Sequence, residues 1–252
     1  MKSLSLLIHF LFVALAVNAQ VAGVCPLGAS DRLTNQLFGP VHTSHTTTWS
    51  VDFSRHVVQK AEQKRARLQE YDASGNILSE QSLDSDGQPL SRTDYVYVAN
   101  QKSVATTNGF DGTFYVSSRT HYTYSPSGNL VSLLSVDKDS TIISTSSVTL
   151  SSSQTIVTES FPDGETITTT FSYDSQFRLQ NILRSDGKQT SEMKFKLSSD
   201  GVPVKGVYRS SDGSKKTITS EYVFDSHGNW TRRVVYVDGK PFELSERQLT
   251  YY

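Results

Sequence analysis

The sequence predicts an all-β fold, an antiparallel up-and-down meander of about 16 strands in an open or curled sheet, on three observations. The first is composition. Ser and Thr supply 63 of the 252 residues, and 24 Tyr and Phe are spread among them; β-branched and aromatic residues between polar ones suit half-buried sheet and are what disordered chains lack. The second is a repeat. Aromatic-x-aromatic triplets and their aliphatic counterparts end at Tyr71, Tyr97, Tyr124, Leu150, Tyr173, Leu197, Phe224 and Tyr251, 23 to 27 residues apart, so hairpins of about 25 residues recur along the chain. The third is punctuation. Asp86-Gly87, Asp111-Gly112, Asp163-Gly164, Asp186-Gly187, Asp212-Gly213 and Asp238-Gly239 lie between the triplets, and Asp-Gly between alternating runs is a strong hairpin signal.

Taken in order, residues 1–19 read as a secretory signal peptide: Lys2, an apolar run from Leu4 to Val17, and small residues before Gln20. The run is shorter than the roughly 20 residues of a spanning helix, and no later stretch is apolar enough, so no transmembrane helix is expected. Cleavage near Ala19-Gln20 would leave a secreted, periplasmic or cell-surface protein. Residues 20–36 read as a flexible segment and 37–252 as a single β-repeat domain. Cys25 is the only cysteine, which excludes an intrachain disulfide; Val24 before it stands where a lipidation signal needs a small residue, so lipidation of Cys25 is not the expectation.

Trp49 is placed to mark one further repeat. The stretch His56–Glu70 is rich in helix formers, yet the repeat register demands a strand there, and strand is the expectation. Beyond it, Asp72, Gly75 and Asn76 after Tyr71, Gly128 and Asn129 after Tyr124, and Asp225, Gly228 and Asn229 after Phe224 share one turn design. In it Asp or Ser bonds a backbone N–H further along, and Gly takes the left-handed conformation. Between turns the alternation has period two: Ile167, Thr169, Phe171 and Tyr173 lie on one face, and so do Ile218, Ser220, Tyr222 and Phe224. Such aromatics should form the buried face.

These motifs resemble the YD-repeat proteins, the hairpin unit of rearrangement-hotspot (RHS) proteins and teneurins. The match rests on Tyr71-Asp72-x-x-Gly75-Asn76, Asp86-Gly87 and Tyr95-Val96-Tyr97, and returns at Phe224-Asp225-x-x-Gly228-Asn229 with Asp238-Gly239. It covers roughly residues 37–252 and is degenerate: Tyr124 is followed by Ser125, and Tyr173-Asp174 by Phe177-Arg178 in place of the Gly. The final stretch resembles small exported bacterial proteins of this type. The resemblance implies architecture and no activity, since large RHS members enclose a toxin behind a self-cleaving core and nothing in this chain is similar to those parts.

A net charge of −1 removes the basic footprint of a nucleic-acid binder. His42 and His45 fall on opposite faces of a strand, while His56, His121 and His227 are scattered, so no metal set converges. Asp84 and Asp86, and Asp137 and Asp139, begin like calcium loops but lack the oxygens that should follow, and read as turn formers. No Gly-x-Ser-x-Gly elbow is present, and a carboxylate pair such as Glu243 and Glu246 cannot be preferred without a cleft. Trp230 with Arg232 and Arg233 is the one cluster with binding character, where alternation sets Trp230 and Arg232 on one face beside each other. Asn229-Trp230-Thr231 fits the N-glycosylation pattern, in a tight turn that makes a poor acceptor. The expectation is an exported, non-enzymatic protein without cofactor, structural or binding at the envelope or outside it, with a protein or glycan as partner; the alternatives are an outer-membrane β-barrel and a glycan-binding or glycan-active protein.

Overall fold

The computed structural model describes residues 37–54, 57–199 and 201–252. The expected signal peptide, the 20–36 segment, Cys25 and His56 lie outside them. Every element is a strand: β1 (Val41–Ser54), β2 (Val57–Tyr71), β3 (Ile77–Leu83), β4 (Pro89–Val98), β5 (Gln101–Phe110), β6 (Phe114–Tyr124), β7 (Leu130–Asp137), β8 (Ile142–Leu150), β9 (Gln154–Ser160), β10 (Thr166–Tyr173), β11 (Leu179–Ser185), β12 (Thr190–Leu197), β13 (Pro203–Ser210), β14 (Lys215–Phe224), β15 (Trp230–Val237) and β16 (Lys240–Tyr251). Each pairs antiparallel with its neighbours in sequence, and β1 pairs with β16. The meander of 16 strands is therefore a closed barrel, which corrects the expectation of an open or curled sheet. Closure depends on a pairing between the two ends of the domain, 207 residues apart at the Thr43–Thr250 side-chain bond, and local periodicity carries no signal for such a pairing.

The helix-forming stretch after residue 56 is strand β2, paired along its length with β1 and along its second half with β3. Two ladders outweigh its propensity, which amounts to tenths of a kcal/mol per residue. The repeat turns all face one rim. At each, the leading residue accepts the N–H four residues on: Asp72 Oδ1 from Asn76 at 2.9 Å, Ser125 Oγ from Asn129 at 3.2 Å, and Asp225 Oδ1 from Asn229 at 2.9 Å. Gly75, Gly128 and Gly228 hold φ near 90° there, at 91°, 84° and 82°. Where the sequence departs from the pattern, Phe177 takes the left-handed position itself, with φ 59°. Gly87, Gly112, Gly164, Gly187, Gly213 and Gly239 sit in the turns of the opposite rim.

Beside the first rim the ladder slips by one residue in hairpin after hairpin, leaving Leu78, Ser103, Val131, Gln180, Val204 and Thr231 as extra residues. Such bulges bend a strand and raise its twist, which is what curving a sheet into a closed wall requires. They also flip the phase of alternation, so that Ile77, Leu130, Leu179 and Trp230 join the inner face.

Buried apolar residues line the inside. Leu130, Val148, Val157, Phe171, Ile182, Met193 and Tyr208 form one cluster across β7 to β13, and Leu37, Val41, Tyr71 and Ile77 form another. The aromatic triplets mostly keep their expected face: Phe171 is 4 % exposed, while Tyr122, Tyr173 and Tyr222 are half-buried. Phe224, next to the rim, is exposed although it stacks on Tyr222.

Three outcomes are expected from this construction. Phe171→Ala should cost roughly 3–5 kcal/mol in a denaturant melt through lost burial and the cavity left behind, whereas Ser172→Ala should stay within about 0.5 kcal/mol. Gly128→Val should lower the melting temperature well beyond Ser127→Ala, because a β-branched residue resists φ 84° and its Cβ would also stand 3.3 Å from Gln101 Nε2. Acid should weaken the fold through its turns. The N–H of Arg178, then its guanidinium and the N–H of Gln176, hold the Asp174 carboxyl at about 2, and similar bonds lower Asp186, Asp212 and Asp238. These carboxylates stabilise the native state while ionised, fully so above the ordinary carboxylate pKa of about 4. The melting temperature should therefore fall steadily as pH is lowered from about 4 to about 2, and a thermal scan across that range checks it.

Candidate functional site

The inner face of the barrel is divided. Across the middle of β7 to β13 it is apolar, and around the buried cluster the half-buried side chains turned inward from β6 to β14 are Tyr122, Leu133, Leu150, Tyr173, Phe195 and Ile218, while nearer the second rim Glu159, Arg184 and Lys216 also point inward. From β15 through β16, β1 and β2 to β3 it is charged through the middle of the wall, with the Leu37, Val41, Tyr71 and Ile77 cluster beside the first rim. Strand β10, in the middle of the apolar sector, stands eight strands from β2 in the closed order, so the two sectors face each other.

Alternation supplies the charged sector. Glu243, Ser245 and Arg247 project inward from β16, Arg65, Arg67 and Gln69 from β2, and Arg233 from β15, where it pairs with Ser245. Glu243 is buried and accepts from Arg65 Nη2 at 3.3 Å and Arg233 Nη2 at 3.5 Å. Arg67 is ion-paired with Glu80, which also accepts from Gln69 Nε2 at 3.2 Å. Thr48 and Ser245 join hydroxyls at 3.1 Å. Arg247 has no carboxylate. Its guanidinium lies 3.6 Å over the Trp230 ring, its Nε reaches Thr46 Oγ1 at 3.4 Å, and its Nη1 is covered from solvent with no partner. Burial, the largest cause, together with neighbouring Arg233 and Arg67, pulls the Arg247 pKa down to about 9. Burial also lowers Arg65, while at Arg67 it is outweighed by Glu80, which raises it.

The expected cluster of Trp230, Arg232 and Arg233 is thus split. Thr231 is a bulge, with Val223 opposite Arg232 and Phe224 opposite Trp230, so Trp230 shares the inner wall with Arg233, 5.5 Å away. Arg232 stands on the outer wall beside Glu246. The bulge breaks the plain alternation from which a shared face was read. Glu243 and Glu246 likewise separate, one inside and one outside. Asn229, read as a turn residue, is fully buried and clamps the start of the domain: its Oδ1 accepts Phe38 N–H at 2.6 Å, and its Nδ2 donates to Phe38 O and Tyr251 Oη, each at 2.9 Å. Asp84 and Asp137 spend an oxygen on turn N–H groups. Among the described residues no three His, Cys, Asp or Glu side chains gather as metal ligands do. Arg247, Arg65, Arg67 and Glu80 were not legible as a group, because only barrel closure brings β16 beside β1 and β2. Their one local signal is spacing at i, i+2 in Arg65-Ala66-Arg67 and in Glu243-Leu244-Ser245-Glu246-Arg247.

Water reaches this interior. Thr93, Ser146 and Thr169 point inward from the body of their strands and are only half-buried. Sixteen strands about 4.8 Å apart and tilted about 40° make a wall roughly 100 Å around, or about 30 Å across for a round section, well beyond the ~10 Å of two packed faces.

No protein-family model matches the chain, and no curated protein matches it by sequence. Among solved structures it is similar to a porin-like protein from Bacteroides uniformis, 9 % identical with a TM-score of 0.40, over 84 % of this chain and 98 % of that one. A porin-like protein from Bacteroides vulgatus gives 11 %, 0.45, 84 % and 98 %. A chain of the TcdB2–TccC3–Cdc42 structure gives 13 %, 0.32, 88 % and 16 %.

Proposed function

We propose that the protein is an exported, non-enzymatic β-barrel that works in water at the envelope or outside it and uses its interior as a binding chamber. The observation that supports this is the polarity of the two faces. The outer wall carries Thr166, Thr168, Thr170 and Ser172 on β10, Glu192, Lys194 and Lys196 on β12, Lys205 on β13, and Thr217, Thr219 and Glu221 on β14. Lys196 and Lys205 stand directly opposite each other there. A lysine on a lipid-facing wall costs roughly 2–4 kcal/mol at the bilayer midplane, so a wall with several, and with threonines between them, favours water. The buried apolar clusters and most of the aromatic triplets are turned inward, while the outer wall scatters single apolar side chains such as Leu68, Leu134, Leu183 and Val223 among its charged and hydroxyl groups and forms no continuous apolar band.

The outer-membrane reading has closure in its favour. A closed antiparallel meander of 16 strands is the plan of such barrels, and it fits that expectation better than it fits an open sheet. Among the described residues no helix is long and apolar enough to cross a membrane, which does not bear on strands. The two readings differ in one measurement. Recovered after export, the protein should stay monodisperse in buffer without detergent and sediment away from membranes. Recovery only in detergent, with gel migration that shifts on boiling, would favour the membrane barrel.

A further inference from the structure

We propose that the charged sector of the inner wall receives the anionic head of an amphipathic organic ligand, with Arg247 on Trp230 as its anchor and the apolar sector from β7 to β13 as the bed for its body. The proposal deepens the reading of the barrel as a water-filled binding chamber and rests on it. Its basis is a charge imbalance. Arg65, Arg67, Arg233 and Arg247 project into this sector against Glu80 and Glu243, and both carboxylates are already engaged. Three covered guanidinium nitrogens, Arg67 Nε, Arg233 Nε and Arg247 Nη1, have no hydrogen-bond acceptor.

A covered cation without a counter-ion is among the costlier features a fold can retain, and an oxyanion relieves it. A guanidinium presents parallel N–H groups that match carboxylate or phosphate oxygens. Arg247 is held in place for this by its stack on Trp230, which in turn meets Tyr222 edge-on at 6.5 Å. Tyr222 is fixed by its bond to Pro203 O at 2.9 Å. A bare anion would leave the facing wall unused. Tyr122, Leu133, Phe195 and Ile218 turn half-buried apolar surface into the same lumen, and an extended alkyl or aryl body attached to the head would cover it. Carboxylate and phosphate share the required chemistry.

The test uses the exported protein in detergent-free buffer, carrying Trp49→Phe so that Trp230 is its one tryptophan, and titrates it calorimetrically with dodecanoate, dodecyl phosphate, dodecyltrimethylammonium and inorganic phosphate. Saturable binding below the micelle concentration is expected for one or both alkyl anions, and whichever binds tighter identifies the head. The alkyl cation and inorganic phosphate should bind at least about tenfold more weakly. Arg247→Gln should weaken the anion about tenfold or more while leaving the melting temperature unlowered, since it removes a covered charge. A second measurement needs no charge variant: dodecanoate brominated next to its carboxylate should quench Trp230 fluorescence strongly, and dodecanoate brominated at the far end should quench it weakly. Equal binding of the cation, inorganic phosphate as tight as dodecyl phosphate, no binding to the soluble folded barrel, or quenching that favours the far bromine would each overturn the proposal. Recovery of the protein only in detergent would instead overturn the reading beneath it.

Discussion

The β1–β16 ladder is the interaction on which the rest of the molecule depends. A sheet of sixteen strands with free ends would expose two long edges, each a row of unpaired N–H and C=O groups able to template association. Pairing β1 with β16 removes both. The seam is reinforced by side chains from distant parts of the chain: the Thr43–Thr250 and Thr48–Ser245 hydroxyl pairs cross it, the Tyr252 hydroxyl donates to the carbonyl of Tyr71, and Asn229 holds the strand entering β1 through both its amide atoms. Tyr251 adds a bond to Asp225 Oδ2. Burial works against ionisation of Asp225, and the bonds from Tyr251, Asn229 and His227 outweigh it, so its pKa is lowered. A turn of the repeat thereby doubles as the lock of the barrel.

Closure also explains how so polar a chain makes a core. The apolar clusters cover only two stretches of inner wall, and elsewhere Ser and Thr pair with one another, as at Thr93–Thr107, Thr120–Ser135 and Thr158–Thr168. The last of these stands on the outer wall, so hydroxyl ladders serve both faces. Each such pair adds tenths of a kcal/mol to about one, and with every interior strand paired on both sides the backbone ladder carries a large share of the order. The interior can stay open to water because so few apolar residues are needed to hold the wall.

The charged sector has a stability consequence apart from any ligand. Removing one partner of a covered ion pair typically costs about 3–5 kcal/mol, whereas replacing the whole group with apolar side chains is often neutral. Arg65, Arg233 and Glu243 are therefore weak as a device for stability.

Sequence alone determined the strand content, the hairpin period, the two kinds of turn and the face on which Phe171 is buried, because these depend on neighbours a few residues apart: side-chain alternation, the conformational freedom of Gly128, and the reach of an Asp or Ser side chain to an N–H four residues on. It singled out Trp230, Arg232 and Arg233 as a cluster, and plain alternation paired the wrong arginine with the ring. Tertiary structure decided what lies beyond that range. The meeting of β1 and β16 turned an expected open sheet into a barrel, since the hydrogen bonds of two edges can be satisfied by each other when the accumulated bend brings them together. Single-residue bulges such as Thr231 moved Arg232 outward and exchanged it for Arg233 beside Trp230. The same closure set Arg247 from the end of the chain beside Arg67 from its first half, a grouping that no local pattern encodes.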